Sequence, residues 1–183
     1  MVLVGCKPPG RFTEQHDVFF GIGSQLSDLI PQLKEFWPEA ANKLHIDGWR
    51  EVNVVDGYQV EVVEKKSTVD SEQLFFINLG GYKPNEFEEY HYKMLVVSKD
   101  KGEAIQASKK TAFYKHTGFE GATSHVDDKY GIDVDDLFAI PDILTPALKE
   151  KFSLQIRKTN SDAKEDEIHL GYLTMAKLEE VNY

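Results

Sequence analysis

Apolar and polar positions follow two different rhythms along the chain. Residues 1–6 form a short β-type run, and residues 16–22 form a second, with Val18, Phe19, Phe20 and Ile22 as its apolar members. Lys7-Pro8-Pro9-Gly10 lies between them and predicts a turn, because proline fixes φ and glycine releases it. From Leu26 the rhythm changes. Leu26, Leu29, Ile30, Leu33, Phe36 and Trp37 recur at the spacing of one helix face. Ser24 or Ser27 is the expected cap. Pro31 belongs in the first turn, where its missing N–H costs nothing, and Pro38 closes the helix.

Beyond the helix, Val52–Val55 reads as a short strand, Asp56-Gly57 as a hairpin turn, and Tyr58–Val63 as a half-buried strand. A polar stretch from Lys65 to Gln73 follows. Leu74–Leu79 has the continuous apolarity of a buried strand, and 90–97 predicts the next. A helix capped by Ser98 is expected to reach about Thr111, with Ala104, Ile105, Ala107 and Ala112 inward. Phe152–Arg157 and Ile168–Leu173 read as an added C-terminal hairpin with a polar loop at 160–166.

Within this pattern a polar motif occurs twice. Phe12-Thr13-Glu14-Gln15-His16 reappears as Phe87-Glu88-Glu89-Tyr90-His91. His45-Ile46-Asp47 reappears as His125-Val126-Asp127, in the same order. Position by position, 125–140 is then expected to correspond to 45–60. Duplicated apolar spacing would report only a shared core, whereas duplicated Glu-x-His and His-x-Asp say that the unit needs those polar groups. The prediction is an α+β fold of two tandem β-β-α-β-β repeats with pseudo-two-fold symmetry. It has mostly antiparallel sheet, one main helix per repeat and an extra C-terminal hairpin. The expected boundaries are 1–66 for the first repeat, 67–73 for a linker, 74–158 for the second repeat and 159–183 for the extension.

These residues carry a family resemblance. Leu79-Gly80-Gly81-Tyr82, the Glu-x-His strand start and the His-x-Asp segments resemble the bacterial domain-of-unknown-function family number 1543. The resemblance implies a bacterial source and a two-copy architecture; it implies no reaction. The first copy departs from it, with Gly5-Cys6-Lys7 where the second has Gly80-Gly81-Tyr82.

Composition narrows the function. At 183 residues the chain suits one compact domain or two small lobes. Lys and Arg number 21 against 31 Asp and Glu, so the net charge of −10 disfavours nucleic acid. The single cysteine, Cys6, excludes an intramolecular disulfide and a multi-cysteine metal cage. No stretch is apolar enough to span a bilayer, and Met1–Cys6 reads as a first strand instead of a signal peptide. A cytoplasmic location is the expectation.

Candidate chemistry centres on Glu14, His16, His45 and Asp47 and on Glu89, His91, His125 and Asp127. Positions i and i+2 of a strand share a face, so each pair can project side by side. Imidazoles and carboxylates are ligands for Zn, Mn or Fe, and the same groups can act as an acid/base pair. A His–carboxylate hydrogen bond that merely pins a strand end is the favoured alternative. Gly21-Ile22-Gly23-Ser24 lacks the third glycine of a dinucleotide fingerprint and reads as a turn. The acidic run Asp127-Asp128, Asp133, Asp135-Asp136 lacks a calcium-loop pattern and reads as a solvated face. The leading function is a non-catalytic binding or assembly module; the alternative is a metal-dependent or acid/base enzyme. The sequence names no cofactor and no partner, and it leaves homo-oligomer formation open.

Overall fold

The structure, a computed structural model, describes residues 1–65, 71–82, 85–116, 133–159 and 163–180. The fold is α+β, with antiparallel pairing in every strand pair whose register is defined. In chain order the strands are β1 (Val2–Cys6), β2 (Gln15–Phe19), β3 (His45–Trp49), β4 (Val54–Val55), β5 (Tyr58–Glu64), β6 (Gln73–Tyr82), β7 (Glu89–Ser98), β8 (Asp133–Ala139), β9 (Phe152–Lys158) and β10 (His169–Thr174). The helices are α1 (Ile30–Phe36), α2 (Lys101–His116), α3 (Ile140–Ile143), α4 (Pro146–Lys151) and α5 (Met175–Glu180). No described helix is long and apolar enough to cross a membrane.

Two compact units divide the chain. One joins Met1–Val54, Leu144–Glu150 and Lys164–Tyr183; the other joins Val55–Ile143 and Lys151–Ala163. These units cut across the expected boundaries. Residues 55–65 fall with the second unit, and the C-terminal segment returns to the first.

The first unit is built on the sheet β10-β3-β1-β2. Alternation puts Val2, Val4 and Cys6 of β1 on one face, where they pack with Phe19, Ile46, Leu29, Ile30 and Leu33. Leu3 and Gly5 therefore point to the opposite face. Pro31 lies at the start of α1, as its sequence predicts. Asp28, and neither serine, caps the 3-10 turn Leu26–Leu29 that leads into α1: its Oδ2 accepts from the N–H groups of Ser24 at 2.9 Å and Gln25 at 3.2 Å. A carboxylate is the stronger acceptor at a helix start. Leu29, Ile30 and Leu33 are buried as expected, but Phe36 is 41% exposed. It ends a helix of two turns and meets Phe19 edge-on, at 5.3 Å between ring centroids.

The second unit holds the sheets β7-β6-β8 and the β5–β9 pair. Asp56 and Gly57, with φ of 51° and 76°, make the tight turn into β5 that the sequence predicts. Phe75, Ile77, Leu79 and Val96 pack against Ala104 of α2. The cap of α2 is Asp100, whose Oδ1 accepts from Glu103 N at 2.9 Å; Ser98 Oγ instead donates to Asp100 O. Ala112 is outside the residues whose side chains are described.

Two elements depart from the sequence reading. Residues 45–49, which carry few apolar residues, form a central strand, while the strand expected at 52–55 shrinks to 54–55. The two C-terminal strands form no hairpin. β9 pairs with β5, and β10 pairs with β3 at the sheet edge. Each lies at the edge of its sheet, and local hydropathy does not say which edge.

Candidate metal centre

Gly5 is the centre of the first cluster. On one side it faces His16 of β2, and on the other it faces His45 of β3. Directly opposed residues share a face, so both imidazoles rise beside a residue that has no side chain. The register then shifts by one residue between Leu3 and Val4: Val4 faces Ile46 and Leu3 faces Gly48, leaving Asp47 as the extra residue. This bulge turns Asp47 toward the same spot. Glu14, just before β2, shares the face of His16.

The four side chains converge. His45 Nε2 is 3.1 Å from Glu14 Oε1 and 3.4 Å from Asp47 Oδ2. His16 Nε2 is 3.3 Å from the same Asp47 oxygen and 3.9 Å from Glu14 Oε2. Thus the first Glu-x-His and His-x-Asp blocks meet. His45 is 4% exposed, whereas Glu14 and His16 remain close to half exposed.

The hydrogen bonding of this cluster is incomplete. His45 Nδ1 lies 3.2 Å from the carbonyl of Lys43. A carbonyl only accepts, so Nδ1 carries the proton and a neutral ring presents a lone pair at Nε2. Around Nε2 stand carboxylate oxygens, which also only accept. Both His45 Nε2 and Asp47 Oδ2 are buried without a hydrogen-bond partner. A buried polar atom left in that state costs roughly 1–3 kcal/mol. A Cβ built on Gly5 would lie 2.5 Å from Asp47 Oδ2 and closer still to His45 Nε2. Glycine is what lets the donors close over the strand.

The second unit repeats much of this. Gly80 faces His91 on β7 and Asp133 on β8, as Gly5 faces His16 and His45. Val134 faces Leu79, Asp136 faces Asn78, and the register shift leaves Asp135 as the extra residue. His91 Nε2 lies 3.3 Å from Asp135 Oδ2 and 3.9 Å from Glu89 Oε2. A Cβ on Gly80 would collide with the Asp135 carboxylate.

The sequence therefore misassigns the third strand of this unit. Residues 133–135 occupy the register of 45–47, and Ile140 opens a helix where Val60 lies in a strand. His125 and Asp127 lie outside the described residues. His125-Val126-Asp127 matched His45-Ile46-Asp47 better by letter. The signal that could have found Asp135 was Val134-Asp135 beside the strand-end glycine, Gly80. Cys6 points into the core from the other face of β1, so it adds nothing to the cluster.

Comparison with known proteins agrees with the motifs. Residues 11–62 match the family model described as Domain of Unknown Function (DUF1543). The match spans Glu14, His16, His45 and Asp47. Comparison with the curated proteins gives no match. Among solved structures, the crystal structure of a protein Il1583 from Idiomarina loihiensis is similar in fold. The similarity covers 95% of this chain and 94% of that one, with a TM-score of 0.63 and 21% identity.

Proposed function

We propose that this chain, a DUF1543 protein by its residues 11–62, is a metal-binding module. Glu14, His16, His45 and Asp47 would take up one divalent transition-metal ion. One observation carries the reading: His45 Nε2 is buried without a hydrogen-bond partner and turned toward carboxylate oxygens.

The donor set supports it. Two imidazoles and two carboxylates suit zinc, and the two carboxylates balance its charge. Ligands about 2.0–2.1 Å from zinc stand roughly 3.3 Å apart at the corners of a tetrahedron. Three of the four separations are 3.1, 3.3 and 3.4 Å. All three exceed the 2.7–2.9 Å or so expected of a charged hydrogen bond. The donors are thus spaced as edges of a coordination shell more than as hydrogen-bond partners. The exposed side of Glu14 and His16 leaves the ion reachable from solvent.

Cytoplasmic location, tandem repeats and a non-catalytic role fit this reading as parts of the same proposal. The alternative use of the cluster is acid/base chemistry, in which His45 is doubly protonated and held by Glu14 and Asp47. Zinc titration of untagged, chelator-stripped protein separates the two. The metal reading predicts saturable binding and a stabilisation of about 2.7 kcal/mol at a zinc concentration 100 times the Kd, read as a higher unfolding temperature. His45→Gln and Asp47→Asn should each weaken binding by at least about tenfold. Unchanged stability with zinc, or equal binding in both variants, overturns it.

A further inference from the structure

The metal reading of the first unit leaves the Glu89–His91–Asp135 cluster unused. Its donors sit at the same two separations as their counterparts: 3.3 Å from imidazole to bulge carboxylate and 3.9 Å from imidazole to the Glu two residues before it. One ligand atom from each of Glu89, His91 and Asp135 lies within 4.8 Å of the others. Gly80 is the matching cradle, because the space its Cβ would take is filled by the Asp135 carboxylate. A glycine inside a strand weakens it, so close approach is the reason for one here. Two positions in one chain thus share a register, a bulge, a glycine and a donor spacing.

They differ at one place. Where the first unit has His45 opposite its glycine, the second has Asp133 opposite Gly80. The second cluster thus has no imidazole at the register position of His45, and its described donors are one imidazole and two carboxylates, against two imidazoles and two carboxylates in the first. Imidazole suits zinc, copper, iron and nickel, whereas carboxylate suits magnesium, calcium and manganese. A mixed set with one remaining imidazole points within that second group to manganese.

We propose that Glu89, His91 and Asp135 form a second cation site that prefers manganese because it lacks the second imidazole of the first. The proposal rests on the metal reading of the first cluster for its geometry, though its own ion is tested apart. Manganese(II) is titrated into the full chain after one equivalent of zinc, and free manganese is followed by electron paramagnetic resonance. One bound manganese is expected. His91→Gln and Asp135→Asn should each weaken it at least tenfold, with zinc uptake by the first cluster as the check that the variant is folded. His45→Gln should leave manganese binding unchanged. Asp133→His should raise the zinc affinity of the second site at least tenfold relative to manganese.

Zinc uptake without any manganese binding overturns this proposal and spares the first. Manganese binding that depends on Asp135 in a protein that takes no zinc does the reverse. Binding that neither His91→Gln nor Asp135→Asn disturbs places the manganese elsewhere and overturns the site. An unchanged zinc-to-manganese ratio in Asp133→His overturns the role given to the missing imidazole.

Discussion

Gly5→Ala is a one-carbon test of the cradle. Gly5 lies in the middle of a paired strand with no positive φ, so alanine meets no backbone strain there. Judged by conformational entropy alone, the change should stabilise the strand by about 0.5–1 kcal/mol. The structure predicts the opposite sign. The new Cβ would lie 2.5 Å from Asp47 Oδ2 and 3.1 Å from His45 Cδ2. Van der Waals separation requires the carboxylate to retreat by about 1 Å. The Asp47 side chain is 25% exposed, but His45 is enclosed. Overpacking of this kind costs roughly 1–3 kcal/mol. The net result is a loss of about 1–2 kcal/mol in the metal-free protein, or roughly 2–8 °C in unfolding temperature at this chain length. Zinc affinity should fall further than stability, because a ligand shell tolerates displacements of only about 0.2 Å. Thermal unfolding with and without zinc, alongside calorimetric titration, reads both effects. Gly5→Ala that is as stable as the parent and binds zinc equally well would refute the reasoning.

Two further outcomes follow from the packing and the polar anchors. Leu33→Ala, at a fully buried position, should cost about 2–5 kcal/mol, while Phe36→Ala should cost markedly less because Phe36 is partly exposed; equal midpoint shifts in urea would contradict the packing of α1. Asp166 is opposed by burial, but its oxygens accept from Val54 N, Asn53 N and Asn53 Nδ2, which together with Arg50 hold its carboxyl below the usual range. Because the folded pKa lies below the unfolded value of about 3.9, the stabilisation is full above that pH and fades as pH falls through the folded value. Asp166→Asn should therefore cost about 1 kcal/mol at pH 7, and the gap to the parent should close in strong acid; a gap that stays constant from pH 7 to pH 2 would rule this out.

The strands and helices with clear apolar rhythm were legible in the sequence, and so was the convergence of Glu14, His16, His45 and Asp47. Period-two spacing said which side chains share a face, and the hydrophobic stripe placed α1. What the sequence hid was set by tertiary pairing. The strand His45–Trp49 has weak hydropathy because one face carries the polar cluster. The pairing partners of β9 and β10 depend on which sheet edges stand open, a fact that no local window contains. The bulge that lifts Asp47 and Asp135 onto the cluster is likewise a matter of register. His125-Val126-Asp127 is the closer literal match to His45-Ile46-Asp47, while Asp133-Val134-Asp135 holds the same register beside a strand-end glycine.

The central claim is that His16 and His45 are metal ligands. Zinc K-edge X-ray absorption of the protein loaded with one equivalent of zinc addresses it most directly. The account predicts a first shell of nitrogen and oxygen at about 2.0–2.1 Å, with the multiple-scattering pattern of two imidazoles and no sulfur shell near 2.3 Å. A spectrum of aquated zinc without imidazole scattering, or one with a sulfur ligand from Cys6, would contradict it.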